Sequence, residues 1–300
     1  MEEERTVRYA YYPGCSLETS AVEYDMSLRA VCKKLGIELV ELKDWCCCGA
    51  TSAHMTDELL SVSLPAENLL LAEKMGLDLV TACAACFSSL KTASKRIETE
   101  PEVASTVEHI LGAKPDGSSR VLHAIDVVNR ELEQEASDLI SVRLKDLNVA
   151  PYYGCLLLRP PKVKEFDDPE NPTKMNVALE ATGANVVAFS HATICCGASF
   201  TATEPSMGLK LSEQILYSAQ KAGAECLAVA CPMCHTNLDL NQEDIERLSM
   251  HNFGIPVLYF TQILGVAMGI DPEELGLHKN VVEPWNLLAR YINVDAMEYR

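Results

Sequence analysis

The sequence predicts an α/β protein of two similar tandem units, each with a parallel sheet flanked by helices, related by an internal pseudo-two-fold axis. Short apolar runs alternate with helical patterns, which is typical of parallel sheets with crossover helices. The same motifs also recur in the same order in both halves, as in YYPGCSL and YYGCLLL or WCCCGA and ICCGAS. A length of 300 residues is enough for two ordinary domains.

The elements of the first unit follow from these patterns in chain order. The segment 6–12 is a predicted strand, and the apolar residues that follow recur at helical spacing until Gly36 ends the helix. We expect a break near Pro65 in the next helix. Further predicted strands are 37–42, 77–82 and the start of 120–132, and further helices are 57–76, 87–98 and the end of 120–132.

The second unit repeats this order, and we place the boundary so that the units are 1–147 and 148–300. Its extra residues fall within RPPKVKEFDDPENP, whose Pro and charge content predicts an inserted surface loop. Predicted strands are 149–153, 185–190, 225–230 and the start of 255–269, and predicted helices are 173–183, 205–223, the segment after Cys234 and the end of 255–269.

The composition limits the classes of function. Acidic side chains outnumber basic ones by 43 to 25, a net charge of −18, which argues against binding nucleic acid or an anionic membrane surface. The first residues lack the pattern of a signal peptide, and Thr261 and Gln262 interrupt the longest apolar stretch, which is too short to span a membrane. We therefore expect a cytoplasmic chain without membrane insertion. In that reducing compartment, thirteen cysteines favour metal binding or redox chemistry over disulfides.

Five cysteines recur in each unit. The interval from Cys48 to Cys83 equals that from Cys196 to Cys231, and a further cysteine follows each CxxC start three positions later. Because each group follows a predicted strand, and the carboxyl ends of parallel strands meet at one edge of a sheet, we expect the thiols of each unit to converge. They are Cys15, Cys47, Cys48, Cys83 and Cys86 in the first unit, and Cys155, Cys195, Cys196, Cys231 and Cys234 in the second.

Three cysteines have no cysteine counterpart in the other unit. Aligning the two Cys-Cys-Gly turns sets Cys46 opposite Ile194, and Cys32 and Cys226 also fall opposite other residue types. We predict that these three are small buried apolar side chains. The alternative that Cys46 replaces Cys47 as a metal ligand stays open.

Five thiolates exceed what the common cysteine sites use. A structural zinc ion and a cubane [4Fe–4S] cluster each take four ligands. Neighbouring thiols on a tight turn suit two metals of one cluster better than two corners of one zinc tetrahedron. The pattern predicts iron–sulfur chemistry, and a structural zinc protein is the alternative from another class.

These motifs resemble the paired cysteine-rich, or CCG, domains of the B-type subunit of heterodisulfide reductase over nearly the whole chain. The resemblance implies two noncubane [4Fe–4S] clusters, each bound by the five cysteines of one unit. It also implies an oxidoreductase that reduces the mixed disulfide of coenzyme M and coenzyme B, or a related disulfide, by homolytic S–S cleavage between the clusters. CCG domains also occur in lactate, glycolate and glycerol-3-phosphate oxidation systems. An electron-transfer protein without disulfide chemistry is therefore the alternative.

The sequence shows neither a GxGxxG motif after a strand nor a Walker-type loop, so electrons must come from partners. The resemblance implies two partner subunits, one small and ferredoxin-like and one flavin-containing, in an electron-bifurcating complex of methanogenesis. A hydrogenase or formate dehydrogenase is a further candidate partner. The implied substrate is a small-molecule disulfide, with no nucleic acid involved.

Residues other than cysteine give weaker signals. Four histidines near the motif cysteines or on the same sheet edge are candidates to donate hydrogen bonds to cluster sulfurs or to protonate a product thiolate, with a structural role as the alternative. Basic residues near the first CxxC and in the inserted loop are candidates to bind anionic coenzymes. The histidines are His54, His123, His191 and His235, and the basic residues are Lys91, Lys95, Arg96, Arg159, Lys162 and Lys164.

Overall fold

The computed structural model describes residues 6–200 and 203–292, with the backbone but not the side chains of 134–138. In the first half the elements are β1 (Val7–Tyr12), α1 (Gly14–Glu18), α2 (Val22–Lys34), β2 (Ile37–Glu41), α3 (Ala53–Thr56), α4 (Glu58–Met75), β3 (Leu79–Thr81), α5 (Ala84–Thr99), α6 (Pro101–Leu111), β4 (Val121–His123) and α7 (Ala124–Leu139).

The second half repeats this succession, except that a 3₁₀ helix replaces α3 and a further short helix follows at the end. It contains β5 (Asn148–Tyr152), α8 (Pro161–Lys164), α9 (Lys174–Ala181), β6 (Asn185–Val186), α10 (Pro205–Lys221), β7 (Cys226–Val229), α11 (Pro232–Leu238), α12 (Gln242–Ser249), β8 (Val257–Tyr259), α13 (Phe260–Ala267) and α14 (Trp285–Leu288), with short 3₁₀ helices at Ala198–Phe200 and Leu277–Lys279.

Each half forms one four-stranded parallel sheet. The strand orders are β2-β1-β3-β4 and β6-β5-β7-β8, which are equivalent by position in the repeat. The inner strands are buried runs such as YAYY in β1 and CLAV in β7, as expected where helices cover both faces of a sheet. The predicted α/β class and the two similar parallel-sheet units are confirmed.

The two halves pack through reciprocal helix pairs. Helix α2 packs on α13, and α9 packs on α7. In the repeat, α2 corresponds to α9 and α13 to α7, so each half offers the same surface to the other, as in a two-fold symmetric interface. The hydroxyls of Ser27 and Thr261 are 2.7 Å apart across the α2–α13 contact. One continuous apolar core includes residues of both sheets.

Two local expectations were wrong. Helix α4 runs without interruption past Pro65, because a proline ring costs a helix one backbone hydrogen bond and some strain, which packing of the surrounding turns can offset. The inserted segment is also more than a surface loop. It contains α8, and the side chains of Lys164 and Phe166 are buried. Sequence patterns also missed α6 and α12, although Pro101 and Gly112 are common start and stop signals.

Candidate functional site

The motif cysteines of the first half gather at the carboxyl edge of its sheet. Cys15 lies in α1 directly after β1, and the CxxC motif spans the start of α5 after β3. The Sγ atoms of Cys48 and Cys86 are 3.3 Å apart. Hydrogen bonding to Cys48 is the main cause that raises the pKa of Cys47, and the charge of Cys15 adds to it. The sheet edge therefore brings all three cysteine groups of this half together.

The second half repeats this arrangement. The Sγ atoms of Cys196 and Cys234 are 3.5 Å apart. A hydrogen bond from Cys155 is the main cause that lowers the pKa of Cys195 to about 6. The thiol of Cys231 also hydrogen-bonds to that of Cys234, which lowers the pKa of Cys231. Five thiols again converge, in close pairs.

The two groups of thiols come together at the interface between the halves. Cys83 and Cys231, the first cysteines of the two CxxC motifs, are both buried and lie close enough for each to shift the pKa of the other. Ala84, next to Cys83, lines the same cavity as Cys231. Because Cys83 and Cys231 hold equivalent places in the repeat, they lie close to the internal two-fold axis. The ten cysteines therefore form one extended group with two lobes.

Cys46 lies to one side of the first group. Its thiol donates to the carbonyl oxygen of Leu64 at 3.3 Å, and its backbone is held by the side-chain amide of Asn68. The hydroxyl of Tyr12 donates to the Cys46 carbonyl at 2.8 Å, as the hydroxyl of Tyr152 donates to the Ile194 carbonyl at 2.6 Å. These equivalent bonds place Cys46 opposite Ile194 in space as well as in sequence.

The other two cysteines without counterparts are far from solvent. Cys32 and Cys226 are buried, and burial raises the pKa of each thiol to about 12. Such thiols act as small apolar side chains.

Glycines allow the backbone to approach the thiols closely. A Cβ atom on Gly14 would lie 2.9 Å from Cys86 Sγ, and one on Gly154 would lie 3.2 Å from Cys234 Sγ. The turns at Gly49 and Gly197 have positive φ angles of 69° and 80°, which favour glycine. Both halves therefore use glycine at the same two points around their thiols.

Backbone amides favour negative charge at both groups. The N–H of Gly49 donates to Cys47 Sγ at 3.5 Å, and the N–H of Gly197 donates to Cys195 Sγ at 3.3 Å. Helices α5 and α11 begin directly after Cys83 and Cys231, so their free N–H groups and dipoles lie beside the CxxC thiols.

This set of donors fits an anionic iron–sulfur group: five thiols in pairs, amide donors and closely approaching backbone. Among the described residues, no three or more His, Cys, Asp or Glu side chains form a group that could hold a single metal ion.

The four candidate histidines lie in different environments. His54 is exposed on α3, and His191 Nδ1 lies 2.9 Å from Ser190 Oγ. His123 is buried with both ring nitrogens in use. Its Nε2 donates to the Ala82 carbonyl at 2.8 Å, and its Nδ1 accepts from the Ile125 N–H. Its role is therefore structural in the conformation seen.

His235, beside Cys234, is buried and stacks on the ring of Tyr259 with centroids 4.4 Å apart. The side-chain amide of Asn280 donates to its Nε2 at 3.1 Å. Burial lowers the pKa of His235 to about 4, which favours the neutral ring.

Most of the candidate basic residues are already bound within the chain. Lys164 is buried and donates to the Ser88 carbonyl and the Thr92 hydroxyl across the interface, so it joins the two halves. Lys162 is exposed. The others pair with carboxylates: Lys91 with Glu165, Lys95 with Glu98, Arg96 with Glu58 and Glu100, and Arg159 with Glu170.

Two cavities lie near the thiols. One of about 220 Å³ lies beside the Cys-Cys-Gly turn of the first half, and it is lined by residues such as Gly49, His54 and Ser88 rather than by the thiols themselves. The other, of about 60 Å³, is lined by all five motif cysteines of the second group and also by Ala84 of the first half. Leu156 lines both cavities. Sequence reasoning did not select Leu156, although its position directly after Cys155 is a signal that could have found it.

Comparisons with known proteins agree with this site. The family model for the cysteine-rich CCG domain matches residues 9–91 and 149–239, which together include all ten motif cysteines. The chain belongs to the CCG cysteine-rich domain family. The resemblance found in the sequence is thereby confirmed.

Three relatives are similar over nearly the whole chain. The chain is 34% identical to the 8-methylmenaquinol:fumarate reductase membrane anchor subunit of Wolinella succinogenes, covering 93% of this chain and 98% of that protein. It is 29% identical to the B-type subunit of the ferredoxin/F420H2-dependent CoB-CoM heterodisulfide reductase of Methanosarcina acetivorans, covering 96% and 98%. It is 31% identical to an Archaeoglobus profundus protein that is named as similar to the B-type heterodisulfide reductase subunit, covering 90% and 93%.

A solved structure shares the fold. A hypothetical protein from Helicobacter pylori superimposes with a TM-score of 0.76 at 15% identity, covering 92% of this chain. The chain spans about half of that protein, 52% of its length. Family membership and the named relatives support iron–sulfur clusters and an oxidoreductase role for a CCG protein that works with partner subunits. None of the helices in the described ranges is long and apolar enough to cross a membrane.

Proposed function

We propose that this chain is the catalytic subunit of a heterodisulfide-reductase-type complex that reduces an organic disulfide to two thiols. The mixed disulfide of coenzyme M and coenzyme B is the leading substrate. The observation that carries this proposal is the meeting of two equivalent five-thiol groups at Cys83 and Cys231, beside cavities that share Leu156. A disulfide lying there would have one group of thiols on each side.

In this proposal each half, 1–147 and 148–300, holds one noncubane [4Fe–4S] cluster. When bound, the two clusters supply one electron each for homolytic S–S cleavage. The chain contributes amide donors at Gly49 and Gly197, and helix N-termini that favour the negative charge of the clusters. The proposed ligands are Cys15, Cys47, Cys48, Cys83 and Cys86 in one half and Cys155, Cys195, Cys196, Cys231 and Cys234 in the other.

The contacts of Cys46 support Cys47 as the ligand of the first turn. The Cys46 thiol is bound to the Leu64 carbonyl in α4, whereas Cys47 hydrogen-bonds to Cys48 among the converging thiols. The proposed electron donors are a ferredoxin-like subunit and a flavin-containing subunit, with a hydrogenase or formate dehydrogenase beyond them, and the proposed location is the cytoplasm.

The test begins with iron and acid-labile sulfide on anaerobically purified chain. We expect roughly eight irons per chain for two four-iron clusters. Turnover of the mixed disulfide with reduced viologen dye, and an EPR signal that appears when one half of the substrate binds, would support disulfide chemistry. Zinc in place of iron would overturn the proposal.

A second function has one specific observation in its favour. The relative at 34% identity is named as part of a quinol:fumarate reductase, a name that mentions no disulfide. In that case the chain would pass electrons between partner subunits. Full iron content without disulfide turnover and without a change in the EPR signal on adding disulfide would favour this function.

A further inference from the structure

Two buried tyrosines from different halves stack at the interface. Tyr24 of α2 and Tyr259 at the end of β8 have ring centroids 4.0 Å apart and planes 10° from parallel, and neither is exposed to solvent. His235 stacks on Tyr259 with centroids 4.4 Å apart. The three rings therefore form one stack, from His235 in α11 through Tyr259 to Tyr24 at the interface between the halves.

Neither phenol hydroxyl has a hydrogen-bond partner among the described residues. Within the described part of the chain, five buried side-chain polar atoms have none, and two of the five are Tyr24 Oη and Tyr259 Oη. A buried hydroxyl without a partner is destabilising, so native proteins rarely retain one unless it has another role. Phenylalanine would fill the same space without this cost. The retention of two hydroxyls at one contact points to a partner that the polypeptide does not itself supply.

Cys83 and Cys231 lie in the surroundings of both hydroxyls. After burial, which is the largest cause, the charges of Cys231 and Cys83 help to raise the pKa of the Tyr24 phenol. Burial is also the largest cause that raises the pKa of Tyr259, and the charges of Glu23 and Tyr24 and then of the same two thiols add to it. In the strand pairing, Tyr259 lies beside Val229, two positions before Cys231. Both hydroxyls therefore lie in the neighbourhood of the thiol pair that joins the two groups.

We infer that Tyr24 and Tyr259 are positioning residues, whose hydroxyls donate hydrogen bonds to sulfur of the groups bound by Cys83 and Cys231. The inference rests on the proposed iron–sulfur function. A phenol O–H is a donor for which thiolate or sulfide is a suitable acceptor. Hydrogen bonds to cluster sulfur stabilise the extra negative charge of the reduced state, so the two tyrosines should make the clusters easier to reduce.

The counterpart of Tyr259 in the repeat shows that the fold does not require an unpaired donor at this position. His123 occupies the equivalent strand end, and both of its ring nitrogens are bound to backbone atoms. It packs edge-on against Phe87 and Phe166. At this position the first half thus has a ring, His123, whose nitrogens are both hydrogen-bonded. The hydroxyls that lack a partner among the described residues lie at the Tyr24–Tyr259 contact.

The experiment compares Tyr24→Phe and Tyr259→Phe with unaltered chain after iron content has been shown to be equal. Tyr11→Phe is the matched control, because Tyr11 is equally buried but donates to Asp25 at 2.7 Å. Redox titration followed by EPR, without any disulfide present, gives the midpoint potential. We expect each Phe variant at positions 24 and 259 to bind the electron about tenfold more weakly, which is about 59 mV lower for one electron.

Thermal unfolding of the iron-free chains provides the second readout. Tyr24→Phe and Tyr259→Phe should unfold at the same temperature as the unaltered chain or higher, because no hydrogen bond is lost. Tyr11→Phe should unfold at a lower temperature with an unchanged potential. An unchanged potential in both variants would overturn the inference, as would a shift seen only when the disulfide is added. Absence of iron from the unaltered chain would instead overturn the proposed function.

Discussion

The two halves of the molecule place the same five cysteines on the same strand order, but they differ in how exposed these cysteines are. Both have the same strand order and the same spacing between the Cys-Cys-Gly turn and the CxxC motif. Cys15 and Cys47 are nevertheless exposed in the first half, whereas their counterparts Cys155 and Cys195 are partly buried. The residues that recur in both halves therefore define the two thiol groups. The residues that differ between the halves determine how exposed these thiols are.

The turns around the thiols also pack differently in the two halves. In the second half, a Cβ atom on Gly197 would lie 2.9 Å from the Cα of Gly208 in the long helix α10. In the first half, a Cβ on Gly49 would lie 2.6 Å from the Cβ of Ala53 in the four-residue helix α3 and 3.0 Å from Leu64 Cδ1 in the long helix α4. Both turns thus pack on a long helix, but the added Cβ would meet helix backbone in the second half and side chains in the first.

Loss of a ligand should have the largest effect, and it should be similar in the two halves. Cys48→Ser and Cys196→Ser should each lose about half of the bound iron, because each removes one of five ligands of one cluster. Cys46→Ser is the matched control and should keep its iron. Iron per chain is the measurement. Retention of iron by Cys47→Ser together with its loss from Cys46→Ser would reverse the ligand assignment.

Alanine at the two turn glycines should destabilise the two halves to different extents. Both positions have positive φ, which costs a residue with a Cβ roughly 1–2 kcal/mol. Gly197→Ala should lower the free energy of unfolding more than Gly49→Ala, since it also pushes against backbone in α10. Gly76→Ala is the control, with φ of 65° but no atom within 4 Å of the added Cβ. Urea unfolding measures all three, and equal losses at positions 49 and 197 would show that both turns are equally rigid.

A smaller effect, on the pH dependence of stability, is expected at Lys164. Its hydrogen bonds to the other half have no lysine counterpart in the first half. Burial is the main cause that lowers its pKa from 10.5 to about 8. Between pH 8 and 10.5 the unfolded chain therefore holds more protons on this residue than the folded chain. Stability should rise with pH across this window, by at most about 1.4 kcal/mol per pH unit.

The rise due to Lys164 should disappear in Lys164→Met and persist in Lys162→Met, which changes an exposed lysine of the same short helix. Urea unfolding of the three chains at several pH values between 8 and 10.5 measures it. Because the thiols and all lysines other than Lys162 and Lys164 are common to the three chains, their contributions cancel in the differences. Equal slopes for Lys164→Met and the unaltered chain would contradict the assignment.

The smallest effect is expected at the cysteines outside the two groups. Cys32→Ala and Cys226→Ala should each keep the full iron content and lose only about 1 kcal/mol of stability, since each removes one small buried group. Iron analysis beside urea unfolding tests both, with Cys48→Ser as the positive control. Any loss of iron from either variant would mean that the repeat had been aligned incorrectly.

Most of the architecture was predictable because its signals are local. Strand and helix patterns alternate within short windows, and Gly36 ends α2 as expected. The errors arose where contacts with distant parts of the chain overrode a local signal. Pro65 breaks many isolated helices, but packing keeps α4 intact. The polar inserted segment looked like a surface loop because the burial of Lys164 depends on acceptors in another helix.

The convergence of the cysteines could be predicted for a different reason. Parallel strands bring their carboxyl ends to one edge, so residues far apart in the chain were placed together by topology alone. The histidines could not be sorted in this way. Whether His123 is free or bound depends on the Ala82 carbonyl and the Ile125 amide, and no spacing in the sequence reports those contacts.

The duplication, the order of strands and helices, and the ten cysteines that define the two groups could all be read from the amino-acid sequence, because repeats and periodicity are properties of the chain. The folded arrangement was needed to show that Cys83 meets Cys231, that Tyr24 stacks on Tyr259 with both hydroxyls unpaired, and that one site is more open than the other. These features arise where the two halves pack together or where unrepeated segments cover the sheet edges. They depend on distances between residues that no local pattern encodes.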